Sequence, residues 1–178
     1  MEHLQNIPIC TNTLFIYKLD IKEDLTLKFT KEKFRSTKSG ALISEDFNIL
    51  KKHKELNKEI NEAIDATLKE TLMLENINYR IFSSWLTKTK PTGSSDSHIH
   101  SNSWLSGVYY PKGDSGFSIK FFYDNTTNFF TPPTKYNIFN SKDWLIIPED
   151  NFLILFFSQL RHQIMPNQSK KEDRKSVV

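Results

Sequence analysis

Three histidines in this sequence have the spacing of a metal site. His98 and His100 flank a single residue, and on a strand such neighbours point to the same face, so both imidazoles can reach one pocket. His162 follows a separate apolar run, so a second strand can deliver a third imidazole. Two ligands from one strand and one from another form a facial site, which suits Fe(II) and leaves coordination positions open. The competing interpretation, surface histidines at the ends of loops, stays open on these residues alone.

Arg174 is placed to bind an anion near such a metal. It follows His162 and opens the predicted strand 174–178. A planar guanidinium clamps a carboxylate with two parallel hydrogen bonds, and Ser176, two residues on, would add a hydroxyl from the same side. The alternative is a basic tail, formed together with Lys170, Lys171 and Lys175.

The elements that must position these side chains belong to one domain, residues 1–178, because two separate cores would need a longer chain. Residues 1–78 are predicted to hold N-terminal strands and a support helix. Residues 79–178 are predicted to hold the core strands with the metal site. A helical region followed by a run of strands is an α+β arrangement.

The helix is predicted from an apolar stripe with a four-residue repeat. It begins after Ser44, a good N-cap, and continues to about Glu75, with a break near His53. His53 falls on the charged face of this helix, so it is a poor candidate ligand, as is His3 in the N-terminal segment. Alternating apolar residues before the helix predict strands at 14–17 and 25–30. The stripe consists of Leu56, Ile60, Ile64, Leu68 and Leu72.

The second region is rich in aromatic strands. Fourteen phenylalanines indicate a core of strands rather than a leucine-rich bundle. Short aromatic segments separated by Pro, Gly, Asn and Asp are typical of a sandwich or barrel. The predicted strands are 80–86, 104–110, 117–123, 144–147 and 152–157, with a loop at 91–95.

Composition excludes several classes of protein. A formal net charge of +3 is too small to indicate nucleic-acid binding. Cys10 is the single cysteine, so neither a disulfide framework nor a cysteine-based zinc site is available. The chain shows no secretion signal, and its longest apolar run is far shorter than the roughly 20 residues of a membrane helix. We therefore expect a cytoplasmic protein with no membrane partner, whose oligomeric state the sequence leaves open.

Two blocks of this sequence resemble a known family of enzymes. Residues 98–110 read HIHSNSWLSGVYY, and residues 156–162 read FFSQLRH, followed by Pro166-Asn167 and by RKS at 174–176. These blocks resemble the iron(II)/2-oxoglutarate-dependent oxygenases of the prolyl-hydroxylase-like superfamily, within a bacterial and phage branch that carries an H-x-H-x-N-S-x-x-S-G-V-Y-Y signature. The likeness covers nearly the whole chain, and the SGVYY segment is its most specific part.

The resemblance implies a double-stranded β-helix, or jelly roll, with the N-terminal helical region packed on one sheet. It implies that His98 and His162 bind Fe(II), and that Arg174 binds the far carboxylate of the co-substrate 2-oxoglutarate. Tyr110 matches a tyrosine that helps to hold that carboxylate, and Ser176 is a helper. The implied activity is that of a dioxygenase, which hydroxylates an unknown substrate and releases succinate and CO2. Candidate residues of the substrate cleft are Asn102, Trp104 and Asp124.

His100 departs from the common pattern of the superfamily. It stands where relatives usually carry the aspartate or glutamate ligand. His100 is then either the third metal ligand or a neighbour of the metal shell, with water completing the coordination. Asp96, two residues before His98, is a weaker third alternative.

Three other functions compete with the oxygenase. A zinc-dependent hydrolase that uses the H-x-H pair would need several acidic ligands downstream, and the sequence offers no clear set. A histidine-triad hydrolase would need a third alternate histidine, but Asn102 occupies that position. A non-catalytic jelly roll, used as a ligand-binding or phage structural module, has no need of Arg174 beside a metal. The substrate is not readable from the sequence: a protein, a small molecule and a nucleic acid all stay open.

Overall fold

Two antiparallel sheets form the fold in the computed structural model, which describes residues 12–37, 41–122, 131–137, 140–168 and, for the backbone alone, 173–177. The larger sheet has the strand order β1 (Leu14–Lys18), β8 (Phe152–Phe157), β5 (Leu105–Tyr110), β10 (Asp173–Val177), β4 (Trp85–Thr89), β3 (Leu42–Ser44) and β2 (Phe34–Ser36). The smaller sheet has the order β7 (Asp143–Ile146), β6 (Ile119–Phe122) and β9 (His162–Ile164).

Strands β8 and β5 are neighbours in the interior of the larger sheet, between β1 and β10, and both of their faces are buried. They pair in register from Leu105 opposite Phe157 to Tyr110 opposite Phe152. Tyr109 belongs to a core cluster on the helical side, whereas Val108 and Tyr110 belong to a second cluster shared with the smaller sheet. A strand covered on both faces needs apolar residues at consecutive positions, which explains the uninterrupted run at 152–157.

The helical region covers the first of these faces. Helix α2 (Ile49–Lys52) and helix α3 (Lys54–Ala66) are separated at His53, as the sequence predicts, and one π-helical turn (Thr67–Thr71) continues α3. The first four residues of the predicted stripe are buried in the core cluster that also holds Tyr109 and Leu155. In the described part of the chain, no helix is long and apolar enough to cross a bilayer.

The predicted strand at 25–30 is wrong, because this segment forms helix α1 (Leu25–Phe29). Asp24 caps it by accepting hydrogen bonds from the backbone amides of Thr26 and Leu27, at 3.0 and 3.4 Å. Leu25 and Phe29 are buried, while Leu27 is 64% exposed. Apolar residues four positions apart fit a helix face as well as a strand face, and burial of that pair favours the helix.

Ser44 is not a helix cap. It ends strand β3, where its fully buried hydroxyl donates to the carbonyl of Asp46 at 2.7 Å and accepts from the amide of Leu86 at 3.0 Å. The β2–β3 hairpin to which it belongs was not predicted from the sequence. The strand expected at 80–86 begins later, since β4 starts at Trp85.

His53 does not lie on a charged face. Its side chain is buried between α2 and α3, and its ring packs edge-on against Phe29 at 5.1 Å between centroids. Burial lowers the pKa of His53, and the nearby charge of Lys28 adds to the effect.

Candidate metal centre

Backbone hydrogen bonds bring the two histidine segments together. His162 begins β9 and lies opposite Phe121 of β6. His98 forms an isolated antiparallel bridge with His162, in which each backbone amide donates to the carbonyl of the other at 3.0 Å. The amide of His100 donates to the carbonyl of Ser158, at 2.9 Å, beyond the end of β8. The HxH segment is thus held to a neighbouring loop and strand by its main chain, although it is not itself part of a named strand.

The three imidazoles converge on one point. One ring nitrogen from each of His98, His100 and His162 lies within 4.8 Å of the other two. The ring centroids of His98 and His162 are 4.4 Å apart, and that of His100 lies 5.3 Å from the first and 4.9 Å from the second. Within the described residues, no carboxylate or thiol joins this group. The structure thus brings together all three predicted ligands.

Hydrogen bonds on the outer side of the rings determine which nitrogen faces inward. The Nδ1 of His98 lies 2.8 Å from the carbonyl oxygen of Asp96, and the Nδ1 of His162 lies 3.0 Å from that of Leu160. Because a carbonyl oxygen only accepts, both Nδ1 atoms carry the proton and both Nε2 atoms carry a lone pair. This is the arrangement that histidine ligands adopt around metals.

His100 differs in its outer partner and in its pKa. Its Nδ1 lies 2.8 Å from the hydroxyl of Ser106, which can either donate or accept. Burial lowers the pKa of His100 to about 4, and repulsion from His98 contributes. His100 is therefore neutral near pH 7, which is the form in which an imidazole binds a metal.

The donor set fits Fe(II). Imidazole nitrogens suit iron, and three of them on one side of a point leave the opposite side open. Asp96 contributes its backbone carbonyl to His98, and its carboxylate is not part of the converging group. Three neutral ligands leave the full positive charge of a divalent ion to be compensated by whatever binds next to it.

A cavity of about 330 Å³ opens beside the histidines. No lysine or arginine contributes to its lining, as far as the described side chains extend. Besides the three histidines, its polar lining residues are Thr37, Thr87, Ser95 and Asp96. Its apolar walls include Trp85, Val108, Ile119, Phe156 and Ile164.

Strand β10 runs past this cavity between β4 and β5. Its register places Arg174 opposite Lys88, and Ser176 opposite both Leu86 and Tyr109. The position opposite Thr87, which lines the cavity, belongs to Lys175. The roles assigned to Arg174 and Ser176 stay predictions.

Tyr110 ends β5 on the face that carries Val108. It is fully buried in the core cluster shared with the smaller sheet, and its ring lies 5.8 Å from that of Phe117. Val108 lines the histidine cavity, but Tyr110 is not among the lining residues. Its role in holding the co-substrate also stays a prediction.

A second cavity, of about 560 Å³, contains two of the three candidate cleft residues. Asn102 and Trp104 line it, and Trp104 is 54% exposed. The third, Asp124, lies outside the described residues. The two cavities share three lining residues, so they meet next to the metal ligands; these are Trp85, His100 and Gly107.

Sequence reasoning missed the serines around His100. Ser106 belongs to the SGVYY segment and Ser158 follows β8, and both hydroxyls are buried. Small polar residues directly next to strongly apolar strands were a usable signal, because such positions usually require a hydrogen-bond partner.

The chain is similar in sequence to a known protein family. The sequence profile of a family described as "Putative 2OG-Fe(II) oxygenase" matches residues 83–178. No curated protein matches the chain significantly in sequence.

Solved structures share the fold at low identity. A prolyl hydroxylase from Trichoplax adhaerens, solved with a peptide fragment of the hypoxia inducible factor oxygen degradation domain, is 14% identical, with a TM-score of 0.63 over 94% of this chain and 82% of its own. A prolyl-4-hydroxylase from Pseudomonas putida is 13% identical, with a TM-score of 0.61; the match covers 94% of this chain and 91% of the hydroxylase. EvdO2 from Micromonospora carbonacea var. aurantiaca, solved with 2-oxoglutarate, is 11% identical, with a TM-score of 0.60; the match covers 99% of this chain and 91% of EvdO2. At these identities the likeness shows the fold alone. The fold is mixed α/β, with mostly sheets and few helices, and these neighbours have jelly-roll folds.

Proposed function

The chain belongs to the 2OG-Fe(II) oxygenase family, and on that premise we propose that His98, His100 and His162 hold the iron of a dioxygenase that hydroxylates an organic substrate. Membership makes the protein an enzyme that uses Fe(II) and 2-oxoglutarate. The observation that carries the assignment of ligands is the convergence of three imidazole nitrogens within 4.8 Å.

The bound iron and its co-substrate supply the redox chemistry: one oxygen atom of O2 enters the substrate as a hydroxyl group, and the other enters succinate as 2-oxoglutarate loses CO2. The protein holds the ligands, binds the co-substrate and keeps water out. Val108, Ile119, Phe156 and Ile164 form an apolar wall beside the histidines, which excludes bulk water from the reacting atoms.

The two sheets form, in this proposal, the two layers of a double-stranded β-helix, with the helical region as a support for the larger sheet. Two observations support this assignment. Residues of α3 and of the larger sheet share one buried cluster, and residues of β5 and β8 share the other cluster with the smaller sheet. The metal ligands then lie at the edge where the smaller sheet and the HxH segment meet.

The co-substrate occupies the cavity of about 330 Å³. 2-Oxoglutarate carries two carboxylates, so its charge compensates that of a divalent ion held by three neutral imidazoles. Its far carboxylate needs a cation, and the described lining offers none. Strand β10 pairs with β4 beside this cavity, and its register places Lys175 opposite the lining residue Thr87 and Arg174 opposite the next residue, Lys88. Arg174 is the proposed clamp, with Tyr110 and Ser176 as helpers.

The substrate enters by way of the larger cavity, which meets the first at His100. Its lining combines exposed aromatic surface with hydrogen-bonding groups, including Trp104 and Asn102. The Trichoplax adhaerens enzyme binds a peptide, and related oxygenases act on peptides or small molecules. Either class of substrate fits this lining.

Anaerobic titration tests the proposal. The metal-free protein is titrated with Fe(II) and then with 2-oxoglutarate, while the visible charge-transfer band of chelated iron is recorded. Wild type is compared with His162→Ala, His100→Ala and Arg174→Ala. Lys175→Ala is the competing variant, because Lys175 is the cation of β10 at the register position opposite the cavity residue Thr87.

We expect the band in the wild type, its loss in His162→Ala, and a higher 2-oxoglutarate requirement in Arg174→Ala than in the wild type. A larger rise in Lys175→Ala than in Arg174→Ala would assign the clamp to Lys175 instead. Retention of the band in His100→Ala would make that imidazole a neighbour of the metal shell rather than a ligand. A folded wild type that gives no band with either addition would contradict the oxygenase, and a non-catalytic ligand-binding jelly roll would replace it.

A further inference from the structure

Three serine hydroxyls form a chain that runs outward from His100. The Ser106 hydroxyl lies 2.8 Å from the Nδ1 of His100 and 2.7 Å from the hydroxyl of Ser158. The Ser158 hydroxyl lies 2.9 Å from that of Ser103. Ser106 and Ser158 are 2% and 0% exposed, whereas Ser103 is exposed. The chain therefore connects a half-buried imidazole to the protein surface.

The direction of this chain determines the tautomer of His100. A hydroxyl can rotate, so each serine either passes its hydrogen outward or points it towards the imidazole. In the outward direction Nδ1 of His100 donates to Ser106, Ser106 donates to Ser158, and Ser158 donates to Ser103. In the inward direction Ser106 donates to Nδ1, and the ring proton must then sit on Nε2. Only the outward direction leaves a lone pair on Nε2.

His100 is unlike the other two ligands in this respect. Backbone carbonyls, which cannot donate, fix the Nδ1–H form of His98 and His162. The tautomer of His100 depends on side-chain hydroxyls, and hence on residues that mutation can remove without altering the backbone.

We propose that Ser106, Ser158 and Ser103 form a hydroxyl relay that holds His100 in its Nδ1–H tautomer and so presents Nε2 to the metal. This inference rests on the proposed function for its purpose, since it concerns the same metal centre. Ser106 and Ser158 are positioning residues: they act through His100 and do not line the smaller cavity.

Ser158 is the informative member of the relay, because its hydroxyl does not touch His100. Its backbone carbonyl, which accepts from the amide of His100, remains in Ser158→Ala. Removing the hydroxyl deprives Ser106 of its acceptor at 2.7 Å, and the remaining serine hydroxyl, that of Ser103, is 3.5 Å away. Ser106 then turns its hydrogen towards Nδ1, and the ring proton of His100 shifts to Nε2.

The first test reads the tautomer in the metal-free protein. Nitrogen-15 chemical shifts of the imidazole rings distinguish Nδ1–H from Nε2–H. We expect Ser158→Ala to lower the Nδ1–H share of His100 while leaving those of His98 and His162 unchanged. Equal tautomer shares for His100 in wild type and Ser158→Ala would overturn the relay.

The second test measures metal affinity, with Zn(II) as a redox-inert probe in competition with a chromophoric chelator. We expect Ser158→Ala and Ser106→Ala to bind Zn(II) about 10- to 100-fold more weakly than wild type, as is typical for residues that orient a metal ligand. Ser101→Ala is the control, because Ser101 is exposed on the same segment. Circular dichroism verifies that the variants fold, and Ser103→Ala, at the exposed end, provides a second variant with a smaller loss of affinity expected.

The outcomes separate the relay from the proposed function. Unchanged Zn(II) affinity in both buried-serine variants, with normal binding by the wild type, would overturn the relay and leave the oxygenase assignment standing. A folded wild type that binds neither Zn(II) nor Fe(II) would overturn the metal centre, and the nitrogen shifts would then decide the relay by themselves.

Discussion

Metal binding should raise the thermal stability of this protein by an amount that can be worked out in advance. A ligand that binds the folded but not the unfolded state adds to the free energy of unfolding. The site is assembled by the bridge between His98 and His162, which belong to distant parts of the chain. The unfolded chain retains only the local pair of His98 and His100, which is a much weaker site.

The size of the effect follows from mass action. At a free metal concentration about one hundred times the dissociation constant, the added free energy of unfolding is about 2.7 kcal/mol. For a chain of this length each kcal/mol raises the melting temperature by about 2–4 °C, so the expected shift is about 5–11 °C. A hundredfold weaker site at the same concentration retains about 0.4 kcal/mol, or about 1–2 °C.

Thermal unfolding with Co(II) measures this shift. His98→Gln removes one ligand at the solvent-accessible side of the site, so its own folding should change little, and His162→Gln serves as the buried counterpart. Mg(II), which prefers oxygen ligands, is the control cation. An equal Co(II) shift in wild type and His98→Gln, or a comparable shift with Mg(II), would refute the reasoning, because the metal would then be bound elsewhere.

Three further predictions concern the fold. The free energy of unfolding should fall as pH decreases below about 6.5, because the unfolded chain protonates His53 before the folded chain does. Urea unfolding at two pH values should show a smaller fall in His53→Leu than in the wild type. An equal fall in both proteins would count against His53 as the cause. Gly107→Ala should lower the free energy of unfolding by about 1–3 kcal/mol, because the new methyl carbon would lie 2.7 Å from Cδ2 of the buried Leu155. An unchanged urea midpoint would mean that the Leu155 side chain moves aside. Ser44→Ala should cost about 1–3 kcal/mol in the same assay because it deprives the buried Leu86 amide of its acceptor, and a neutral result would show that the amide finds another.

Local patterns predicted the larger elements because their apolar faces are repetitive. The four-residue repeat from Leu56 to Leu68 identifies α3, and the unbroken apolar run at 152–157 identifies β8, buried on both faces. The break near His53 was predicted as well, but the burial of the His53 side chain was not, because its ring packs against Phe29, which is distant in sequence.

Short segments were predicted less well because they carry too few residues to distinguish one period from another. Leu25 and Phe29 fit a strand or a helix equally, and contact with the core decides for the helix. Ser44 has the residue type of a helix cap, but its partner is the amide of Leu86, far along the chain.

The sequence by itself determined the chemistry that this protein offers. It places three imidazoles among apolar strands, two of them in an HxH pair and the third at His162, and its SGVYY block indicates the family to which the chain belongs. Only the tertiary structure decided how that chemistry is arranged. The bridge between His98 and His162 and the hydroxyl contact between Ser106 and Ser158 join residues that are far apart in sequence. Such pairings depend on how strands align within and between sheets, and no local pattern of residues encodes that alignment.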